Sequence, residues 1–416
     1  MLGWIILNLY FTSLVFDAPL RYFLDRQGLP YLLYLRDAAV FSYIVISILT
    51  RWYRGYVRKS ELILVAVLAY WFLIGLVQLN VSQVLFGVKV LLPFYFAYLV
   101  FPSLISRWDW QIRIFIALWL ATLLGVVLDY YYAFPWEGFN YELAGREIEG
   151  NRAWGTFGFI RYSGFARASF SAATIITLLS IVVLMSKRHR FVGFLIYSTS
   201  LAGIAFTTTK GLVLAYLIVG LTVILVKMAP RIRRLIPLAL LLMVVLIPVT
   251  AVAGINLYEG LIANDLSDFL LRSLIIRIET AWPRALTELI HGLIYLTGRG
   301  LGGIGTAQLY FERGLYNPGD NLFVYLVVTF GFSALPLLVF FTLRISRIML
   351  GKSALGDTAY YSFIVILVFG LTANIIESPS MLIFLGFIYR YITSHRPTPT
   401  AVLHAPAKTQ DDRCLA

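Results

Sequence analysis

Apolar runs of about 20 residues recur along almost the whole chain, and the charged residues are gathered into the stretches between them. In lipid every backbone N–H and C=O has to be paired within its own segment or around a closed barrel. These runs are helix length and do not alternate like membrane strands, so the expected fold is an all-α polytopic membrane bundle. A composition of 60% hydrophobic and 13% charged residues, with a mean hydropathy of +0.82, belongs to the same class. About twelve transmembrane helices are expected. They lie near residues 3–18, 30–50, 62–79, 84–105, 113–130, 168–186, 191–208, 211–227, 235–255, 321–343, 358–377 and 380–393. Together they make one transmembrane domain over residues 1–393. The remainder, 394–416, is rich in Pro, Thr and Ala and is expected to be a disordered cytoplasmic tail.

Four short loops carry the Lys and Arg residues that orient such a bundle. They hold Arg51, Arg54, Arg58 and Lys59; Lys187, Arg188 and Arg190; Lys227, Arg231, Arg233 and Arg234; and Arg344, Arg347 and Lys352. In a twelve-span arrangement all four fall on one side, which is then cytoplasmic, with both termini inside. These anchors largely account for the net charge of +13, so the charge does not point to nucleic acid. No Lys or Arg precedes the first apolar run, so the charged start of a cleavable signal peptide is lacking and the first span is expected to stay. The single cysteine, Cys414, lies in the tail, so no disulfide is expected across the loops.

Two long loops fall on the opposite, outer side. The first, about 131–167, opens on Tyr130, Tyr131, Tyr132, Phe134 and Trp136, which read either as an interfacial belt or as a stacking platform for sugar rings. Arg146, Arg152, Arg161 and Arg167 follow among Glu137, Glu142, Glu147 and Glu149. Such charges can simply pair with one another in water. Arg161 and Arg167, however, abut the sixth span, and a planar guanidinium there suits phosphate oxygens.

The second loop, about 256–320, contains an amphipathic stretch from Leu271 to Leu293 that suits a helix lying in the interface. Then comes Gly298-Arg299-Gly300-Leu301-Gly302-Gly303-Ile304-Gly305. This run reads either as backbone able to approach a ligand and donate N–H groups, or as a packed turn. The loop ends on Asp320-Asn321, directly before a span. Either residue is a natural helix N-cap, and Asp320 is also placed to act as a general base.

Within the spans, Arg36, Asp37, Lys89, Lys210 and Glu377 stand out, because ionisable groups in lipid are costly and face the bundle interior. Arg36 and Asp37 are expected to neutralise each other. Lys89 and Lys210, near the outer ends of their spans, either snorkel or help to hold an outer-leaflet phosphate. Glu377 shows no evident role. The four histidines form no metal-ligand spacing with Cys or carboxylates, so no metal or other cofactor is expected.

Several of these pieces occur in the order found in bacterial polytopic proteins of the O-antigen polymerase and O-antigen ligase superfamily, which this chain resembles over roughly residues 80–380. They are Arg161-Tyr-Ser-Gly-Phe165 entering a span, the hairpin Thr207-Thr-Thr-Lys210-Gly211, the large outer loop with its Gly-rich run, and Asp320-Asn321 followed by Gly331. The resemblance implies action on oligosaccharides carried on undecaprenyl diphosphate, at the outer face of a bacterial inner membrane. It implies a fold like that of the lipid-dependent (GT-C) glycosyltransferases, and inverting bond formation without nucleotide sugar or metal. Ligases of that superfamily typically carry His where this chain has Asp320, which is more similar to exopolysaccharide polymerases. The hairpin commonly carries Arg where Lys210 stands, keeping the charge and losing the fork.

On that resemblance Asp320 takes the proton of the attacking sugar hydroxyl, with Arg161 the leading cation. Arg167, Lys210, Arg277, Arg299, Lys89 and Asn321 would bind the diphosphate and its sugars. The candidate partners are the lipid-linked oligosaccharide, the bilayer, and a chain-length regulator or export machinery. Ligase-type transfer to another acceptor is one alternative, and a transporter of lipid-linked sugars is another. A transporter would show two related halves with broken spans in matching positions, and no such pairing is visible. A membrane acyltransferase would want a histidine base, for which His291 is the one outer candidate.

Overall fold

The computed structural model describes residues 1–394 except 144, 154, 157–158, 187–188 and 256–264. The expected disordered tail, Lys187 and Arg188, and the start of the second long loop lie outside the described residues. Helix α1 (Leu2–Val15) turns by 83° into α2 (Asp17–Arg26). Four long helices follow: α3 (Tyr34–Tyr53), α4 (Lys59–Gln78), α5 (Val81–Ile105) and α6 (Trp108–Tyr131). The first long loop carries two small antiparallel hairpins, β1 (Asn140–Leu143) with β2 (Arg146–Glu149) and β3 (Gly155–Thr156) with β4 (Phe159–Ile160). These short ladders depart from the all-helical expectation only in a loop, where strands need no membrane partner.

The chain continues through α7 (Ser169–Ser186), α8 (Arg190–Phe206), α9 (Lys210–Met228) and α10 (Ile232–Val252). The second long loop holds α11 (Asp265–Ile276), α12 (Trp282–Glu288) and the short turns α13 (Ile294–Thr297) and α14 (Thr306–Phe311). The chain then closes with α15 (Leu322–Phe330), α16 (Ala334–Ser346), α17 (Ala354–Phe369) and α18 (Pro379–Ser394).

Each of the twelve expected spans overlaps helix, but the one expected over 358–377 is helical only to Phe369 and the one over 321–343 is broken at Gly331–Ser333. Among the described residues eight helices are long and apolar enough to cross a membrane, or nine if the bent α1–α2 pair is one span. The protein is therefore an all-α, multi-pass membrane bundle. Helices α8, α17 and α18 have 17, 16 and 16 residues. At about 1.5 Å per residue each spans about 25 Å, short of a hydrocarbon core of about 30 Å.

The centre of the bundle is α7, α17 and α18, whose side chains are buried nearly all round, with α5 lying against α18. Gly386 permits that approach, since a Cβ there would sit 2.4 Å from the Phe94 carbonyl oxygen. Helices α3 and α4 lie at the periphery and expose apolar side chains such as Leu35, Phe41, Leu62 and Ile63, as lipid contact requires. At the end bearing the basic loops, Arg51 pairs with Glu61, and Arg390 donates to the Tyr98 hydroxyl at 2.9 Å.

At the opposite end the Gly-rich run is a packed turn inserted between α4, α5 and α15. Arg299 N–H donates to Val328 O at 2.8 Å, Gly300 N–H to Thr329 O at 3.0 Å, and Leu301 N–H to Trp71 O at 3.3 Å. Gly302 has φ +86°, and a Cβ on it would lie 2.4 Å from the Gln83 carbonyl oxygen. The alternative in which this backbone serves a ligand is thereby corrected, because these donors are consumed within the fold.

Gly302→Ala is expected to lower the melting temperature in detergent well below that of Gly28→Ala. Gly28 shares a positive φ (+69°) but has nothing within 4 Å. The difference isolates overpacking, worth about 1–3 kcal/mol. Equal melting temperatures would contradict the packed-turn assignment.

Candidate functional site

The segment Arg161–Arg167 is held from three sides. Asp129, near the end of α6, accepts hydrogen bonds from the Ser163 and Gly164 amides, each at 2.8 Å. Asn151 donates to the Ser163 hydroxyl at 3.0 Å and to Ala166 O at 3.2 Å, and the Trp136 indole donates to Gly164 O at 3.1 Å. Gly164, at φ +62°, fits directly on the backbone of Gly125, where a Cβ would come within 2.6 Å of a carbonyl carbon. These contacts anchor the segment that carries Arg161 to α6.

Arg277 and Asp320 arrive from the second long loop. Helix α11 runs into α12 through a π-helical turn at Arg277–Ala281. Pro283 accounts for that turn: its ring displaces the carbonyl four residues back and it offers no N–H to the ladder. The turn directs the Arg277 guanidinium onto Asp320, with Nε at 3.1 Å and Nη2 at 3.0 Å, both on Oδ2. Arg277 also donates to Ser273 O at 2.7 Å, and the Trp282 indole donates to the Asp320 carbonyl at 3.3 Å.

The amphipathic helix does not lie in the interface as expected. Ile275, Ile278, Trp282, Ala285 and Leu289 are buried, and α12 packs on α10 and α15. Leu293, expected on the same face, is 80% exposed.

Arg161, Arg277 and Lys210 form one electropositive group. Burial, and then the nearby Arg277 charge, depress the pKa of Arg161, and Lys210 lies within electrostatic reach of Arg161. Lys210 opens α9 directly after Thr208, whose φ of +52° is a strained conformation for a β-branched residue. Gly211 packs closely on Phe369 and Thr372. Of the sequence-assigned residues, Arg277 and Asp320 are thus in contact, Arg161 is within electrostatic reach of Arg277, and Lys210 is within reach of Arg161. Such a group can hold a phosphate-bearing ligand next to a carboxylate.

Other assigned residues lie elsewhere. Lys89 pairs with Asp37 at 2.9 Å, and its Nζ sits 4.9 Å from the Tyr34 ring centroid. The expected Arg36–Asp37 pair is present at 3.4 Å, and Arg36 also reaches Asp17 at 3.6 Å. Arg167 belongs with this second group. Its Nε donates to Glu149 O at 3.1 Å, and burial, then the Arg21 charge, depress its pKa.

Two assignments are corrected. Arg299 is only 8% exposed and is spent on Glu312 at 2.7 and 3.0 Å and on Gly303 O at 2.9 Å. Burial pushes the Glu312 carboxyl up, but its Arg299 partner more than offsets this and leaves it below its ordinary value. Arg299 therefore braces the Gly-rich turn, where its donors are spent within the fold. Asn321 is fully buried and caps α15, accepting from Val324 N–H at 3.1 Å and donating to Leu371 O at 3.0 Å. It is the cap, and Asp320 is left at the site. The aromatic cluster divides as well: Tyr131 and Tyr132 are exposed, whereas Trp136 is buried in a stack on Phe134.

Glu377 is a site neighbour that sequence reasoning left without a role. It lies in the connection between α17 and α18, beyond the helix end. Oε1 accepts from the Thr306 amide at 2.7 Å and Oε2 from the Thr306 hydroxyl at 2.5 Å. Burial pushes it up to about 7 against the pull of the Thr306 hydrogen bonds, with the Asp320 charge adding to the rise. Tyr316, similarly raised by burial and then by Asp320, lies beside it. Only Glu377's apolar surroundings in sequence hinted at this, because its partner is 71 residues away. Among the described residues no group of three or more His, Cys, Asp or Glu is arranged to hold a metal ion.

No family model matches the chain, and no curated protein or solved structure does so.

Glu377 generates a pH prediction. Below its ordinary value of 4.5 both folded and unfolded chains hold the proton, whereas between 4.5 and about 7 only the folded chain does. The contribution of Glu377 to stability should be fully present below 4.5 and be lost as pH rises through that window. Glu377→Gln should flatten the slope of melting temperature against pH. An unchanged slope would contradict the assignment.

Proposed function

We propose that this protein is a polymerase that joins oligosaccharide repeat units carried on undecaprenyl diphosphate into an exopolysaccharide or O-antigen-like polymer. In this proposal the helices make twelve crossings of a bacterial inner membrane in a GT-C-like arrangement. Both termini are cytoplasmic and the two long loops face outward. The observation that carries the proposal is the Arg277–Asp320 pair at the mouth of α15, with Arg161 within electrostatic reach of Arg277 and Lys210 within reach of Arg161. The order of motifs around these residues supports it.

The chemistry follows from these groups. A sugar hydroxyl of the acceptor attacks the anomeric carbon of the donor. The new C–O bond forms as the bond from that carbon to the diphosphate oxygen breaks, with inversion. The leaving lipid diphosphate takes the electron pair, and Arg161 and Lys210 stabilise the charge that grows on its bridging oxygen. The hydroxyl proton passes to Asp320. Arg277 grips Oδ2 with two donors, which orients the carboxylate and assigns the proton to Oδ1. The step consumes no nucleotide and calls for no metal.

Arg161→Ala should lower polymer formation by about 100-fold to 1,000-fold, as loss of a cation facing a developing oxyanion does elsewhere. Asp320→Asn should lower it by about 100-fold to 10,000-fold. Both proteins should remain in the membrane fraction with wild-type melting behaviour. Normal polymer from either variant would overturn the site. Repeat units confined to the inner leaflet would favour a transporter instead.

A further inference from the structure

At the end of the bundle that bears the basic loops, α3, α4, α5 and α18 meet around one carboxylate. Glu61, in the first turn of α4, is buried, and the helix start sets its position: Oε2 accepts from the Arg58 amide at 3.4 Å, as the third residue of a capping box does. Two guanidinium groups share Oε1. Arg51, in the last turn of α3, pairs with it closely and also donates to Leu99 O of α5 at 3.4 Å. Arg390, near the end of α18, reaches the same oxygen at 3.8 Å. Tyr98 of α5 fixes Arg390, whose Nη1 donates to the hydroxyl at 2.9 Å while the guanidinium carbon lies 4.8 Å from the ring centroid. The Tyr98 hydroxyl also meets the Ser60 hydroxyl at 2.8 Å, so one ring holds the start of α4 and the end of α18.

The charge of this group does not close. Arg58 and Arg51 both act electrostatically on Arg390, and among the described residues Glu61 is the one carboxylate paired with any of the three. Three cations against one carboxylate give 3 − 1 = +2. A buried guanidinium beside two like charges is costly unless an anion completes the group. Burial is graded so that an anion can arrive: the Arg390 side chain is 3% exposed, Arg51 is 25% exposed, and Arg58 is open. The buried member separates this place from an ordinary orienting loop such as the one with Arg347 and Lys352, both of which are exposed.

The surroundings of the opening suit a lipid. Trp52, Tyr53 and Tyr56 are exposed beside it, and rings of this kind settle at head-group level. Within a turn of Arg51 and Glu61, Leu49 on α3 and Leu62 and Ile63 on α4 present exposed apolar side chains. Acyl chains can lie along these side chains, whereas a soluble anion gains nothing from them.

We propose that Arg51, Arg58 and Arg390 form a binding site for the phosphate of an anionic phospholipid in the leaflet at this end, and that the bound lipid fastens α3 and α4 to α18. Cardiolipin, with one negative charge on each of two phosphodiesters, matches the surplus and ranks above phosphatidylglycerol, which carries one. Helices α3 and α4 bury only two residues each, so the Glu61 cluster is a main attachment of their basic ends, and a phosphate there supplies the second anion. The site lies at the end of the bundle opposite the Gly-rich turn, and its occupancy is independent of any reaction at Asp320.

The test uses the delipidated full-length protein in dodecyl maltoside, titrated with cardiolipin, phosphatidylglycerol and phosphatidylcholine. Bound lipid is counted by native mass spectrometry and melting temperature is followed in parallel. Cardiolipin is expected to bind most tightly and to raise the melting temperature, and phosphatidylcholine to bind least. Arg51→Gln/Arg58→Gln should weaken cardiolipin by about tenfold or more and remove its effect on melting. Arg58→Gln alone alters only an exposed side chain and should shift binding in the same direction, so the test does not depend on the double variant folding. Arg347→Gln/Lys352→Gln removes two charges from another basic loop and should bind like wild type.

Equal weakening in the Arg347 and Lys352 variant would reduce the effect to general surface charge and overturn the site. Unchanged cardiolipin binding in both Arg58 variants would overturn it directly. Phosphatidylcholine binding as tightly as cardiolipin would show that the phosphate charge is not what is recognised. Displacement of cardiolipin by millimolar inorganic pyrophosphate would assign the cluster to a soluble anion and overturn the lipid assignment.

Discussion

A cation at the edge of a low-dielectric slab has to be answered by a carboxylate, a ring, a carbonyl or a ligand, and the long-loop end of this protein is organised by how each is answered. Arg299 is answered completely by Glu312 and the Gly303 carbonyl, and so serves as a brace. Arg277 is answered by Asp320 and held there by Ser273. Arg161 lies within electrostatic reach of Arg277, and Lys210 within reach of Arg161. What sets Arg299 apart from Arg277 is therefore its partners, and not residue type or position in a loop.

This arrangement depends on rigid backing. The Gly-rich turn is locked into α4, α5 and α15 by main-chain bonds, and the connection after α17 is bonded to α14 through Glu377 and Thr306. On the other side Asp129 and Asn151 pin the segment that carries Arg161. The described parts of both long loops are in this way extensions of the membrane helices. A charge cluster assembled from such parts is preorganised and can meet a charged group without first having to rearrange.

The helical bundle was legible in the sequence, because lipid forces the apolar period to show itself in every span. Arg161, Lys210, Arg277 and Asp320 were legible as well, since charges at helix mouths stand out from an apolar background. What stayed hidden depended on contacts distant in the chain. Nothing local distinguishes Arg299 from Arg277, yet Glu312 removes the first from the site and Asp320 keeps the second in it. The amphipathic helix has the same pattern whether it faces lipid or protein, and only its packing on α10 and α15 settles which. The hairpins of the first loop were missed because four-residue strands leave too short an alternation to see. Arg21 and Asp17 were passed over because the 83° bend that brings them to Arg36 has no motif of its own.

The most direct test of the central claim is the profile of lipid-linked and polymeric glycan in cells lacking this protein, separated on gels and probed for leaflet. Single repeat units accumulating on the lipid at the outer face, with no long polymer, is the result predicted for a polymerase built on the Arg161–Asp320 cluster. An unchanged ladder of polymer would contradict it, and finished polymer retained on its lipid would contradict it in favour of a ligase.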